Sequence, residues 1–181
     1  METLHCTQID SLAGRLLLAV SSRGLAKLEF VDGRVQLGDR WFPKVTREES
    51  PDQLQPYVQE LQEYFAGKRR EFTFPLDLRG TDFQLRCWKA LLAIPYGEVR
   101  TYAQQAQTVG SPRGFRAVGM ANHDNPVAIV VPCHRVIASD GTLGGYGGGL
   151  ELKRRLLELE GATWRPKESE ATQQLTFQHS A

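Results

Sequence analysis

The segment TYAQQAQTVGSPRGFRAVGMAN, Thr101–Asn122, decides how the second half of the chain is read. Thr101 and Gln104 have the spacing of a capping box, in which the two side chains satisfy free N–H groups of the first helical turn. This predicts a short helix to about Thr108, closed by Gly110. Ser111-Pro112 then predicts a second helix, with proline at its first position, running to about Asn122. Two short helices joined by Val109-Gly110-Ser111 read as a helix-turn-helix. The mostly apolar run Val127–Ala138 is expected to be extended, and Ser139-Asp140-Gly141 to turn it back as a small wing-like hairpin. On this pattern alone a DNA-binding unit and a plain pair of packed helices stand level.

Upstream, Thr81 and Gln84 repeat the capping-box spacing and predict a helix to about Ile94, stopped by Pro95-Tyr96-Gly97. The first 80 residues read differently. Leu16–Val20 and Leu25–Phe30 are strand-like runs around a Ser21-Ser22-Arg23-Gly24 turn, and Leu4–Ile9 adds a strand before them. Leu54, Tyr57, Val58, Leu61, Tyr64 and Phe65 recur at helical spacing up to Gly67. Phe72–Leu76 is short and extended. At the other end, the glycine-rich run 144–149 leads into a helix from Leu150 to Glu160, ended by Gly161. The division expected is an α/β domain over 1–80, a helical domain over 81–165 and a frayed tail over 166–181.

The 181 residues carry 22 Lys+Arg against 21 Asp+Glu, a net charge of +1, so no whole-chain basic footprint for nucleic acid exists. The charge is unevenly spread: residues 81–165 carry +3 and residues 1–80 carry −1. Three cysteines, Cys6, Cys87 and Cys133, make neither a disulfide framework nor a zinc finger. No basic leader followed by an apolar run begins the chain, and no apolar stretch is long enough to span a bilayer. The expectation is a reduced-thiol protein without a membrane partner: cytoplasmic, nucleoid-associated in a bacterium or nuclear in a eukaryote.

The chemistry concentrates in PCHRV, Pro132–Val136. A cysteine after Ile129-Val130-Val131-Pro132 would ordinarily be an inert core thiol. A neighbouring imidazole changes that, because the thiolate is the nucleophile and a nearby base promotes it. Adjacent side chains of a strand point to opposite faces, so Cys133 and His134 need a turn or a bridging water to cooperate. An acidic partner for His134 must come from elsewhere in the chain, and Glu160 is one candidate.

The segment Pro132–Val136 resembles the active-site signature of the O6-alkylguanine-DNA alkyltransferases. Phe83-Gln84 with Trp88-Lys89, Gly97-Glu98-Val99 with Tyr102, Arg116-Ala117-Val118-Gly119, Asn125-Pro126, Tyr146–Leu150 and Glu160-Gly161 match that family in the same order. The likeness is strong over residues 81–161 and loose over the first 80. It implies an α+β protein: an N-terminal ribonuclease H-like α/β roll, and a C-terminal winged helix-turn-helix-like domain that enters the minor groove of double-stranded DNA. The damaged guanine is flipped out, as chemistry on a stacked base requires.

By the same resemblance, Cys133 takes a methyl or other alkyl group from guanine O6, and from O4 of thymine as a further substrate. The transfer is irreversible and single-turnover. His134 acts through a water as base, Glu160 orients it, and Asn125 braces the loops. Tyr102 donates to the flipped base and crowds the 3′ phosphate. Arg116 fills the gap left in the duplex, on a helix whose small residues Gly114 and Ala117 permit close approach. Val136 reads the guanine amino group through its carbonyl, Gly147 offers its N–H to O6, Tyr146 walls the pocket and Lys153 sits near the Cys133 loop. Arg135 ties the loop to its surroundings. No cofactor is implied, and the protein is expected to act as a monomer that binds DNA singly or cooperatively.

Two positions depart from the family pattern. Phe115 stands where many relatives carry a small residue, and His123 where relatives place glycine or a basic residue. Some relatives hold zinc through an N-terminal Cys/His set; only His5 and Cys6 lie there in this chain, so no metal is expected. The competing readings are a lesion-binding protein without chemistry, a plain regulator and a thiol hydrolase. Cys133 counts against the first, since such binding relatives lack that cysteine.

Overall fold

The computed structural model describes residues 2–31 and 41–165. The expected tail, 166–181, lies outside the described residues.

Residues 2–78 begin as a four-stranded sheet with strand order β3-β2-β1-β4: β1 (Glu2–Ser11), β2 (Gly14–Ser21), β3 (Gly24–Phe30) and β4 (Val45–Glu49). The β2–β3 hairpin forms as its turn residues predict, and β1 pairs antiparallel with β2. β2 is apolar at successive positions because both faces are covered. Leu16, Leu18 and Val20 join Leu25 and Leu28 in the main core, while Leu17 and Ala19 join Leu4, Cys6, Ala26 and Phe42 on the opposite face. Helix α1 (Pro51–Phe65) lays Leu54, Val58, Leu61 and Tyr64 on the main-core face. β4 was not legible in the sequence. It is a parallel edge strand beside β1, mostly exposed and charged, without apolar alternation.

The C-terminal part is helical. α2 (Asp82–Leu92) and α3 (Tyr102–Thr108) both start at complete capping boxes, on Thr81/Gln84 and Thr101/Gln104. α4 (Phe115–His123) starts later than the sequence suggested, with Gly114 as its N-cap. Pro112 therefore lies in the connecting turn. The Gly114 N–H donates to Ser111 O at 2.7 Å, and a β-carbon at position 114 would overlap the Ser111 hydroxyl. The last helix, α5 (Leu150–Leu159), ends on Glu160 and Gly161.

Two buried polar links set the helix-turn-helix geometry. Gln105 of α3 and Asn122 of α4 exchange amide hydrogen bonds at 3.0 and 2.8 Å. The Trp88 indole N–H of α2 donates to Ala121 O at 2.8 Å. Satisfied buried amides of this kind fix one arrangement, because any slip leaves polar atoms unpaired.

The expected extended run and wing hairpin are not what forms. Ile129 takes φ = 72°, a left-handed backbone that is strained for a β-branched residue. Residues Cys133–Arg135 form a 3₁₀ turn, and β6 (Val136–Ile137) pairs in parallel with β5 (Arg100–Thr101). The turn at Ser139–Gly141 persists, closed by the Ala138 N–H to Thr142 O at 2.9 Å. The strand partner is the entry to α3, which ties the Cys133 segment to the helix-turn-helix. The two parts of the chain share one core: Leu28 of β3 and Val127 form a backbone bridge, and Leu156 of α5 packs in the same cluster as Leu16 and Leu61.

Candidate active site

Cys133 is the first residue of the 3₁₀ turn and is half-buried, whereas Cys6 and Cys87 are fully buried. It opens into a cleft of about 330 Å³, lined also by Tyr102, Gly119, Asn122, Tyr146 and Gly147. Asn125 bonds three points of this loop. Its Nδ2 donates to Val131 O at 2.8 Å and to Cys133 Sγ at 3.3 Å, and its Oδ1 accepts the Val127 N–H at 3.0 Å. Burial pushes the Cys133 thiol up, and the Asn125 hydrogen bond and the Lys153 charge pull it partly back.

The turn solves the problem that a strand would have posed. It sends His134 inward beside the exposed face of Cys133. His134 is fully buried, and its Nε2 lies 2.8 Å from Glu160 Oε1. Glu160 accepts both Nε and Nη2 of Arg135, at 2.8 and 2.9 Å. Burial alone would raise the Glu160 carboxyl, but the hydrogen bonds and charges of His134 and Arg135 more than reverse this and hold it at about 2. An ionised Glu160 can only accept, so His134 carries its proton on Nε2. Burial lowers the His134 pKa, with Glu160 opposing, so the ring is neutral at pH 7. Its Nδ1 is then an acceptor, buried and without a hydrogen-bond partner among the described residues.

Lys153 shows why a helical lysine need not face solvent. It is fully buried on α5, and its Nζ donates to Val136 O at 2.6 Å, Leu143 O at 2.5 Å and Gly145 O at 3.1 Å. Burial lowers its pKa to about 8, opposed by Cys133. The Val136 carbonyl therefore holds one donor already and keeps its second lone pair. Arg135 ties the turn inward, as its context suggested, with Nη1 on Ile94 O at 2.6 Å.

Tyr102 begins α3, lines the cleft and donates to Gly145 O at 3.4 Å. The Tyr146 ring packs edge-on against Phe30, 6.4 Å between centroids, and its hydroxyl is buried without a partner among the described residues. Gly147 sits at the exposed rim. The remaining candidates lie outside the cleft. Gly114 caps α4, Arg116 is exposed on its first turn, and Ala117 lines a separate groove with Met120 and Phe83. Phe115 is 50% exposed, so it does not pack into the core. His123 is exposed but reaches the cleft rim.

Sequence reasoning missed two contacts to Glu160. Tyr64 donates its hydroxyl to Oε1 at 2.7 Å, and the Gly97 N–H lies 3.4 Å from Oε2. Gly97 has φ = 79°, and a β-carbon there would stand 2.9 Å from Glu160 O. The Pro95-Tyr96-Gly97 stop signal marked the position but not its partner. Among the described residues no group of His, Cys, Asp and Glu could hold a metal ion, and no helix is long and apolar enough to cross a membrane.

Comparison with known proteins agrees with this geometry. Residues 4–78 match the family model for the 6-O-methylguanine DNA methyltransferase ribonuclease-like domain, and residues 82–162 the model for its DNA binding domain. A methylated-DNA--protein-cysteine methyltransferase of Mycobacterium bovis is 49% identical over 158 residues, covering 87% of this chain and 92% of that protein. One from Methanosarcina barkeri is 46% identical, covering 84% and 94%. The crystal structure of the Mycobacterium tuberculosis OGT in complex with DNA superposes with a TM-score of 0.77 at 47% identity, covering 87% of this chain and 92% of that one. The half-buried cysteine in its cleft and both matched halves lead to one conclusion: the chain belongs to the 6-O-methylguanine DNA methyltransferase family.

Proposed function

We propose that the protein repairs DNA by moving an alkyl group from O6 of guanine onto Cys133, once per molecule. One observation carries this reading. The half-buried Cys133 stands at the wall of a cleft, and His134, next to it in sequence, is buried and hydrogen-bonded to Glu160. The Cys133 sulfur attacks the O6-alkyl carbon, a C–S bond forms, and the C–O bond breaks with its electrons passing to the guanine. The thiol proton passes through a water to Nδ1 of neutral His134, and the departing guanine recovers a proton, so the imidazole ends neutral. The thioether has no comparable leaving group, and the reaction stops at one equivalent.

The acceptor Nδ1 of His134, the Asn125 bond to Sγ and the unpartnered Tyr146 hydroxyl each support a polar base bound in this cleft. Tyr102 and Gly147 supply polar atoms at its edge, and Lys153 holds the carbonyls of Gly145 and of the buried Val136 in place. DNA is the partner, met by α4 with Arg116 entering the duplex and Gly114 and Ala117 permitting its approach. The guanine is flipped to reach the thiol. O4-alkylthymine is a further substrate of the same chemistry.

The test is intact-protein mass spectrometry after mixing with duplex DNA containing O6-methylguanine. One added methyl per chain, on the Cys133 peptide and absent from Cys133→Ser, is the expected result. Tight lesion binding with unmodified protein would instead establish a lesion-binding protein, and product beyond one equivalent would establish a turnover enzyme.

A further inference from the structure

Tyr64 belongs to α1, in the N-terminal part of the chain, 96 residues before Glu160. Helical periodicity explains why it is buried: it continues the Leu54, Val58, Leu61 stripe. Its ring is wedged among aromatics, 5.5 Å from Phe65, 5.4 Å from Phe72 and 6.1 Å from Tyr96, centroid to centroid. A phenol in such a core must find an acceptor for its hydroxyl. The acceptor is the same carboxylate oxygen, Glu160 Oε1, that receives His134 Nε2–H.

We propose that Tyr64 is a positioning residue for the Cys133 reaction, its hydroxyl holding the Glu160 carboxylate and limiting how strongly that carboxylate acts on His134. The inference rests on the roles of His134 and Glu160 proposed above. Oε1 takes three donors: Tyr64, His134 and Arg135. A hydrogen bond to an anion draws charge from it, so each donor lessens the pull left for the others. Removing the Tyr64 hydroxyl concentrates the charge of Oε1 on the His134 N–H and makes the imidazole more basic. The other titratable groups facing the pair are Arg135 from the turn, Lys153 from α5, Tyr96 from the loop before β5, and Cys133 and Tyr146 from the cleft. A change confined to the Tyr64 hydroxyl leaves these groups chemically intact, and its effect reaches them through the charge on Glu160 Oε1, which Arg135 shares. The N-terminal part thereby contributes a polar atom to the reaction centre, as well as core.

The experiment is the pH dependence of Cys133 alkylation by iodoacetamide in the full chain. The sulfur displaces iodide, and the thiol proton leaves through the same His134. The other two cysteines are fully buried, which keeps the reagent on Cys133. This readout needs no DNA, so it stands apart from the O6-methylguanine test. In Tyr64→Phe, which keeps the ring, the acid limb of the profile should move up by roughly half a unit to one unit. Replacing Tyr64 by 3-fluorotyrosine, a stronger donor, should move it down. Profiles that superimpose, or that differ by one factor at every pH, would overturn the proposal and leave Tyr64 a packing residue. Should Tyr64→Phe fail to fold, the fluorotyrosine shift decides alone: a downward limb supports the proposal and an unmoved one overturns it.

Discussion

Glu160 Oε1 and His134 Nε2 lie 2.8 Å apart with neither side chain exposed to solvent. A buried pair of this kind is costly to break, because removing one charge strands the others. Glu160→Gln keeps the shape but can present an amide N–H to His134, favouring the wrong tautomer, and it leaves Arg135 without its anion. Alkyl transfer should slow by on the order of 10² to 10⁴-fold. Stability should fall by about 3 to 5 kcal/mol. Transfer kinetics followed by mass, together with urea unfolding, measure both; a rate within threefold of wild type would remove Glu160 from the reaction.

The same pair gives the protein a defined acid sensitivity. The folded state holds Glu160 at about 2 against an ordinary 4.5, so its contribution is full above 4.5 and is lost as pH falls towards 2. That difference is worth about 3 kcal/mol. His134 is also lowered in the folded state, so unfolded chains bind its proton first and stability begins to decline below 6.5. Unfolding free energies between pH 8 and 3 should therefore fall in two stages, and the lower one should be smaller in Glu160→Gln, the remainder coming from carboxylates such as Asp77 and Glu151 that are also held low.

Lys153→Met tests the buried ammonium. The substitution preserves length and apolar packing but orphans the Val136, Leu143 and Gly145 carbonyls. One unsatisfied buried acceptor costs about 1 to 3 kcal/mol, so a loss of about 3 kcal/mol or more is expected. Thermal melting and the iodoacetamide reactivity of Cys133 should both change. A variant as stable as wild type would mean that water replaces the ammonium freely.

Arg116 and Phe115 should separate DNA engagement from chemistry. Both are exposed on the first turn of α4, outside the cleft. Arg116→Ala and Phe115→Ala should each leave stability within about 0.5 kcal/mol of wild type, as surface changes do. Each should slow reaction with O6-methylguanine in duplex DNA by tenfold or more, while reaction with a free O6-benzylguanine base stays within twofold. Equal losses on both substrates would place these residues in the chemistry and not in duplex opening.

What could be read in advance divides by range. The two capping boxes, the β2–β3 turn and the Gly161 stop are local codes, written within four residues, and all form as the sequence indicates. Cys133, His134 and Glu160 could be nominated because the motif places two of them together and the helix end supplies the third. Tyr64, Lys153 and the Gln105–Asn122 pair could not be read the same way. A tyrosine on an apolar stripe and a lysine on a helix carry no signal of which buried atom they meet. The 127–138 run failed for a related reason. Its apolar residues indicate burial, while the left-handed Ile129 and the 3₁₀ turn are imposed by Asn125 and by pairing with β5.

The bridge between Leu28 and Val127 also bears on how the molecule behaves in a crowded solution. The outer edge of β3 is occupied at Leu25 and Leu28: Leu25 N–H bonds to Pro75 O, Asp77 N–H to Leu25 O, Leu28 N–H to Pro126 O and Ala128 N–H to Leu28 O. At the other edge, β4 presents Arg47, Glu48 and Glu49 in place of apolar side chains. Among the described residues, neither border offers a flat apolar template on which another chain could add a strand. The described edges of this sheet thus disfavour strand-to-strand association between copies of the chain at high concentration.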